Sequence, residues 1–233
     1  MQTPTISLQM APYSRYTPDI TVPACGRDWI LHRPADLETL WDSITDDEFG
    51  DDERLPYWVE LWPASIALAD WLADNKDRLR GKLCLDMGCG LGLSAMAASA
   101  AGAKVLAMDY EEEALRYARK NADSNKVPQP LWAVMDWRYP AVAAGTAAFI
   151  WGGDIMYERR FVDPVLRFIK HSLAPGGTVW MAEPNRDVYQ YFRSALFHDN
   201  WTARPVYTGR LPAIYIQPER VSVTLWEISR GMS

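Results

Sequence analysis

The stretch Asp86-Met87-Gly88-Cys89-Gly90-Leu91-Gly92 sets three glycines at alternate positions directly after a short apolar run. Glycines so placed let backbone N–H groups approach a ligand and let the chain turn sharply into a helix N-terminus. Three further acids follow at intervals: Asp109, Asp136 beside Trp137, and Asp154 three residues before Tyr157. Asp109 can accept hydrogen bonds from ribose hydroxyls. Asp136 can accept from an adenine amino group, and the backbone N–H that follows can donate to the ring, with Met108 and Tyr110 flanking the plane. One Asp in such a place is more often a helix cap or loop residue, and Cys89 alone reads as a small loop filler. The weight comes from fitting residue types recurring at successive places.

Those places are strand ends. Lys82–Asp86, Lys104–Met108, Leu131–Met135, Ala147–Trp151 and Thr178–Ala182 read as short apolar strands. Between them lie helical patterns: Ala64–Ala73 with Pro63 in its first turn, the Ala-rich Gly92–Ala101, Glu111–Ser124 with acids first and bases later, and Phe161–Leu173 closed by Pro175-Gly176-Gly177. Strands alternating with helices predict a doubly wound, mostly parallel α/β sheet of the Rossmann-like kind, whose ligands bind beyond the carboxyl ends of the strands. Trp201–Tyr207 and Val221–Ile228 have no helix between them and predict an antiparallel pair at the C-terminal end. Residues 1–55 read as an N-terminal extension with a strand at Trp29–His32 and a helix over Ala35–Ile44, packed on a main domain over 56–233. Asp46–Glu53, six acids in eight residues, reads as a solvated loop, with docking of a basic protein as the other use.

The chemistry narrows the ligand. A carboxylate at Asp86 would repel a pyrophosphate, and Leu93 stands where the dinucleotide fingerprint requires Gly or Ala. S-adenosyl-L-methionine has no phosphate and carries an ammonium and a sulfonium, so it suits that acid. The expected cofactor contacts are Asp86, Gly88, Cys89, Gly90 and Gly92, then Asp109, Tyr110, Asp136 and Trp137. Among 233 residues, 48% hydrophobic content suits a folded globule, and a net charge of −6 argues against a nucleic-acid partner. Three cysteines without a CxxC pair fit a reducing compartment, and the first residues lack the pattern of a secretory signal. No apolar run reaches membrane-spanning length, so the expectation is a cytoplasmic protein. His32, His171 and His198 are scattered, with no metal-ligand spacing.

Leu85–Gly92, Asp109, Asp136-Trp137 and Asp154-Ile155-Met156-Tyr157 together resemble the seven-β-strand (class I) methyltransferases, a group with many protein-lysine methyltransferases. Pro56–Pro63 and Glu183-Pro184-Asn185-Arg186 are similar to the electron-transfer-flavoprotein β-subunit lysine methyltransferases and their bacterial relatives, which usually show Asp-Pro-Gly-Arg at the second place. The resemblance spans Pro56 to Arg186. It implies seven strands, Trp62 and Asp154 against the cofactor, Asp154 and Tyr157 as catalytic residues, and Trp58 and Glu60 near the acceptor entrance. It also implies N-methylation of a protein lysine or a small amine. The alternatives are a non-catalytic cofactor-binding domain and a nicotinamide-dependent oxidoreductase, the latter disfavoured by Asp86 and Leu93. The oligomeric state has no signature.

Overall fold

A computed structural model describes residues 19–43, 56–212 and 220–231. The acidic run at 46–53 lies outside the described residues. A seven-stranded sheet forms the centre. Its strands are β3 (Leu83–Met87), β4 (Lys104–Asp109), β5 (Leu131–Val134), β6 (Ala147–Gly153), β7 (Leu173–Glu183), β8 (Trp201–Pro212) and β9 (Arg220–Arg230). The order is β5-β4-β3-β6-β7-β9-β8. The pairs from β5 through β7 are parallel, and β9 runs antiparallel to both β7 and β8. The strand order reverses direction at β3 and β6, which opens a crevice at their carboxyl ends.

Each element follows from its residues. Pro63 opens α2 (Pro63–Asp74) at the position where a missing N–H costs nothing. α4 (Leu93–Ala100) is built from small residues and is buried except for Ala100, so it can lie close against both the sheet and α2. α5 (Glu112–Ser124) carries Glu112 and Glu113 in its first turn, as the helix dipole favours. α6 (Val162–Ser172) buries one face of an amphipathic repeat. β7 starts earlier than the Gly-rich segment suggests. Ala147 faces Leu173 and Phe149 already faces Thr178, so Pro175-Gly176-Gly177 loops out within the strand rather than ending the helix before it.

Among the strands and the longer helices, two were not foreseen. α7 (Val188–His198) buries Tyr189, Phe192 and Leu196, a helical spacing the sequence does contain. β1 (Asp19–Ala24) pairs with β2 (Arg27–His32), and Ala24 faces Arg27 across a two-residue turn with Cys25 and Gly26 both at positive φ. A short helix, α1 (Leu37–Ser43), follows, and α3 (Lys76–Leu79) extends the end of α2.

The β1–β2 hairpin is fastened to the main body through α5. Ile20, Val22, Trp29 and Leu31 join Leu61, Ile66, Met96 and Ala122 in one apolar cluster. Asn125 accepts from the Ile30 N–H at 2.9 Å and donates to the Ile30 carbonyl at 2.7 Å. Asn121 does the same for His32, at 2.7 and 3.3 Å. Four helical residues rise about 6 Å and two strand residues about 6.7 Å. Side-chain amides one turn apart therefore match alternate residues of β2 and act as a substitute neighbouring strand.

The two sheet edges differ. β5 is four residues long, with Leu131 and Val134 largely exposed, and Pro128 and Pro130 precede it. β8 is long but carries Pro205, followed by a register shift before Tyr207.

Candidate active site

A cavity of about 280 Å³ occupies the crevice. The glycine loop after β3 forms its floor. Gly88, Gly90 and Gly92 all have positive φ, and the close approaches there demand it. A Cβ on Gly88 would lie 2.8 Å from Ile155 Cγ2, and one on Gly92 would lie 2.9 Å from Ala118 Cβ. One on Gly90 would sit 3.3 Å from the Trp58 carbonyl, so the 3-10 turn Tyr57–Val59 lies directly across the loop.

Asp109 ends β4 and lines the cavity, with Oδ2 accepting from the Gly90 N–H at 2.8 Å and Oδ1 from the Glu111 N–H at 3.1 Å. Burial pushes this carboxyl up to about 6, against the pull of the Glu111, Gly90 and Tyr110 N–H donors. Asp136 and Trp137, after β5, line the opposite end with Tyr110. Asp136 is bound by Arg138, whose backbone N–H donates at 2.8 Å and Nε at 2.7 Å. The same guanidinium lies 5.7 Å from the Tyr110 ring centre. Arg138 was missed in the sequence, although its place two residues beyond Asp136 is that of a local ion pair.

The third wall is aromatic. Tyr57, Trp58, Trp62, Tyr157 and Phe161 all line the cavity. Tyr157 packs edge-on against Tyr57 and Phe161 with ring centres 5.2 and 4.9 Å apart. Trp62 donates from Nε1 to the Tyr57 carbonyl at 3.0 Å. Burial, with Glu158 next, raises the Tyr157 phenol above its ordinary value, so its proton stays on at neutral pH. Asp154 closes this wall with a left-handed backbone (φ 56°), which Asp tolerates better than most residues. Both of its oxygens are taken by Arg186, from Nε at 2.9 Å and a terminal nitrogen at 3.0 Å. Burial raises the Asp154 carboxyl and Arg186 opposes that rise. Asn185 also has φ 59°, in the region Gly and Asn share, and it accepts a hydrogen bond from Thr224. Asn can therefore stand at a position whose backbone favours Gly.

Asp86 and Met108 depart from expectation. Asp86 lies behind the glycine loop and does not line the cavity. It accepts from the Ser94 hydroxyl at 2.6 Å, and burial pushes its carboxyl up to about 7. It fastens the loop to α4. Met108 is likewise a buried core residue and does not line the cavity. Glu60 does line the cavity, but its carboxylate is committed to Arg33 at 2.5 Å and to the Leu37 N–H at 2.9 Å. The other expected contacts, Gly88, Cys89, Gly90, Gly92, Trp62, Asp109, Tyr110, Asp136, Trp137, Asp154 and Tyr157, all come together in the one cavity.

The donor set fits an adenosine carrying a cationic, phosphate-free tail. The carboxylate of Asp109 suits ribose hydroxyls, and the two arginines of the lining are engaged by acids, Arg138 by Asp136 and Arg160 by Glu158. Among the described residues no group of His, Cys, Asp and Glu could hold a metal. None of their helices is long and apolar enough to cross a membrane.

Sheet order and crevice define a seven-stranded, mostly parallel, Rossmann-like fold. Residues 84–177 match the model of the methyltransferase domain family. The electron transfer flavoprotein beta subunit lysine methyltransferase of Xenopus laevis is 34% identical over 136 residues, covering 56% of this chain and 53% of that protein. The ribosomal protein L11 methyltransferase of Vibrio cholerae is 34% identical over 134 residues, covering 56% and 42%. The chain thus spans about half the length of the curated relatives it matches. In fold, the 16S rRNA N2 G1207 methyltransferase of T. thermophilus superposes with a TM-score of 0.60 at 13% identity, over 94% of this chain and 52% of that one.

Proposed function

We propose that this protein is an S-adenosylmethionine-dependent methyltransferase that N-methylates a lysine side chain of another protein. The observation that carries this reading is the continuity of one cavity from Asp109 and the glycine loop to the aromatic wall at Tyr57, Trp62 and Tyr157. When bound, S-adenosylmethionine supplies a sulfonium-activated methyl group. The chain's own contribution is placement. Asp109, Tyr110, Asp136 and Trp137 hold the nucleoside end, and Trp62 stands between it and the acceptor side. Methyl transfer is an in-line displacement, so orienting a neutral nucleophile supplies much of the acceleration. The aromatic wall excludes water and suits both the aliphatic stem and the cationic form of a lysine. Asp154, fixed by Arg186, presents a rigid acceptor to the incoming amine.

Relatives named as methyltransferases of protein lysine support a protein acceptor over a small amine. The three free thiols support a reducing cytoplasm as the compartment. The test is incubation with methyl-labelled S-adenosylmethionine and host lysate, separated into protein and small-molecule fractions. Label should enter protein and map to lysine, and label confined to small molecules would overturn the acceptor assignment. Asp154→Asn should cut transfer at least tenfold while S-adenosylhomocysteine still binds. Retained transfer would remove Asp154 from the reaction, and no transfer by the wild type to any acceptor would favour a non-catalytic cofactor-binding domain.

A further inference from the structure

The buried amide of Asn121 joins two things that the reaction does not obviously link. It is fully buried. On one side it pairs with the backbone of His32 in the N-terminal hairpin. On the other, Nδ2 donates to the Leu91 carbonyl of the glycine loop at 3.0 Å. A second tie reaches the opposite wall. Arg33, immediately after the hairpin and with its side chain fully enclosed, donates to Glu60, which belongs to the segment lying across the loop. The carbonyl of Trp58 in that segment presses on Gly90.

We infer that Asn121 and the Arg33–Glu60 pair are positioning residues of the cofactor site, which fix the glycine loop from behind and the 57–62 segment from above. The inference rests on the proposed cofactor reading. The physical reason is that a loop with three left-handed glycines has little intrinsic preference for one shape. Its shape has to be imposed by what it touches. Asn121 fixes the Leu91–Gly92 peptide, next to the N-terminus of α4. The Arg33–Glu60 pair is buried, so it holds its geometry far better than an exposed pair would.

Asn125 provides the comparison. It makes the same strand-like pair of bonds to β2, at Ile30, but no bond to the glycine loop is formed from its side chain. Asn121→Ala and Asn125→Ala should therefore loosen the hairpin alike and lower the melting temperature by comparable amounts. Only Asn121→Ala should weaken S-adenosylhomocysteine binding, by about tenfold, when measured by calorimetry well below the melting transition. In the ligand-free proteins, amide exchange at residues 90–93 should accelerate in Asn121→Ala and stay unchanged in Asn125→Ala. Equal affinities and equal exchange in the two variants would overturn the inference. If Asn121→Ala does not fold, Arg33→Met/Glu60→Gln replaces it. That double variant removes both buried charges together and keeps an acceptor for the Leu37 N–H. Tenfold weaker binding supports the positioning role, and wild-type affinity refutes it. A wild type that binds no S-adenosylhomocysteine would sink the proposed function, while the exchange rates would still decide the role of Asn121.

Discussion

Asp86 titrates in the range where the protein is handled. Its folded carboxyl is pushed up to about 7 by burial, and that of Asp109 up to about 6. An acid whose folded pKa exceeds its unfolded value holds its proton longer in the native state. Stability is then fully present below about pH 4 and falls as pH rises toward 7, beyond which the Asp86 contribution is flat. A shift of about three units corresponds to roughly 4 kcal/mol as an order of magnitude. The melting temperature should therefore decline between pH 4 and pH 7, and Asp86→Asn should flatten part of that decline, with Asp109 supplying the remainder. Parallel profiles for wild type and variant would show that Asp86 carries none of it. This residue also marks a limit of sequence reading. Its position before the glycines was legible, but its face of the strand was not, and the face decides between ligand contact and a bond to Ser94. The commitments of Asp154 to Arg186 and of Glu60 to Arg33 were hidden for the same reason, since both join residues distant in sequence.

At the scale of elements, the turn between β3 and α4 is the most constrained. Gly92 caps α4 with φ 87°, and a Cβ there would meet Ala118 of α5 at 2.9 Å and Trp132 at 3.1 Å. Gly92→Ala forces a left-handed backbone on a residue with a side chain, at about 1–2 kcal/mol. It also pushes α5 from α4, at about 1–3 kcal/mol for overpacking. Thermal unfolding should show a loss of about 2–5 kcal/mol, and a variant within half a kcal/mol of wild type would mean that the helices shift freely. Most elements were legible because period distinguishes them: Leu83–Leu85 is a continuous apolar run closed by an acid, and Val162–Ser172 repeats at helical spacing. β1 and the docking of its hairpin were not. Pro23 and a Cys-Gly turn lack the usual hairpin signature, and pairing of β2 with asparagine amides exists only once α5 lies beside it.

For the whole molecule, ligand linkage discriminates among cofactor classes. A ligand that binds only the native state stabilises it by about 2.7 kcal/mol at a hundred times its dissociation constant. For a protein of this size that is roughly 5–10 °C in melting temperature. S-adenosylhomocysteine should produce such a shift and nicotinamide adenine dinucleotide should produce none; the reverse would restore the oxidoreductase reading. The sheet as a whole was the most legible feature, since alternation of strands with long helices leaves few topologies open.

The unequal sheet edges bear on how the molecule behaves at high concentration. A free edge strand offers its backbone to any neighbour, and chains that leave long flat edges open tend toward fibrils. Here one edge is too short to recruit a partner, and the other is interrupted at Pro205, which has no N–H to offer, and bent by the irregularity that follows. Exposed Leu131 and Val134 are tolerable on these terms. Pro205→Val should leave the crevice and its ligand untouched yet raise light scattering on storage of concentrated protein, since it would return a continuous ladder of donors to the longer edge. Unchanged scattering would mean that the irregularity after Pro205 is protection enough.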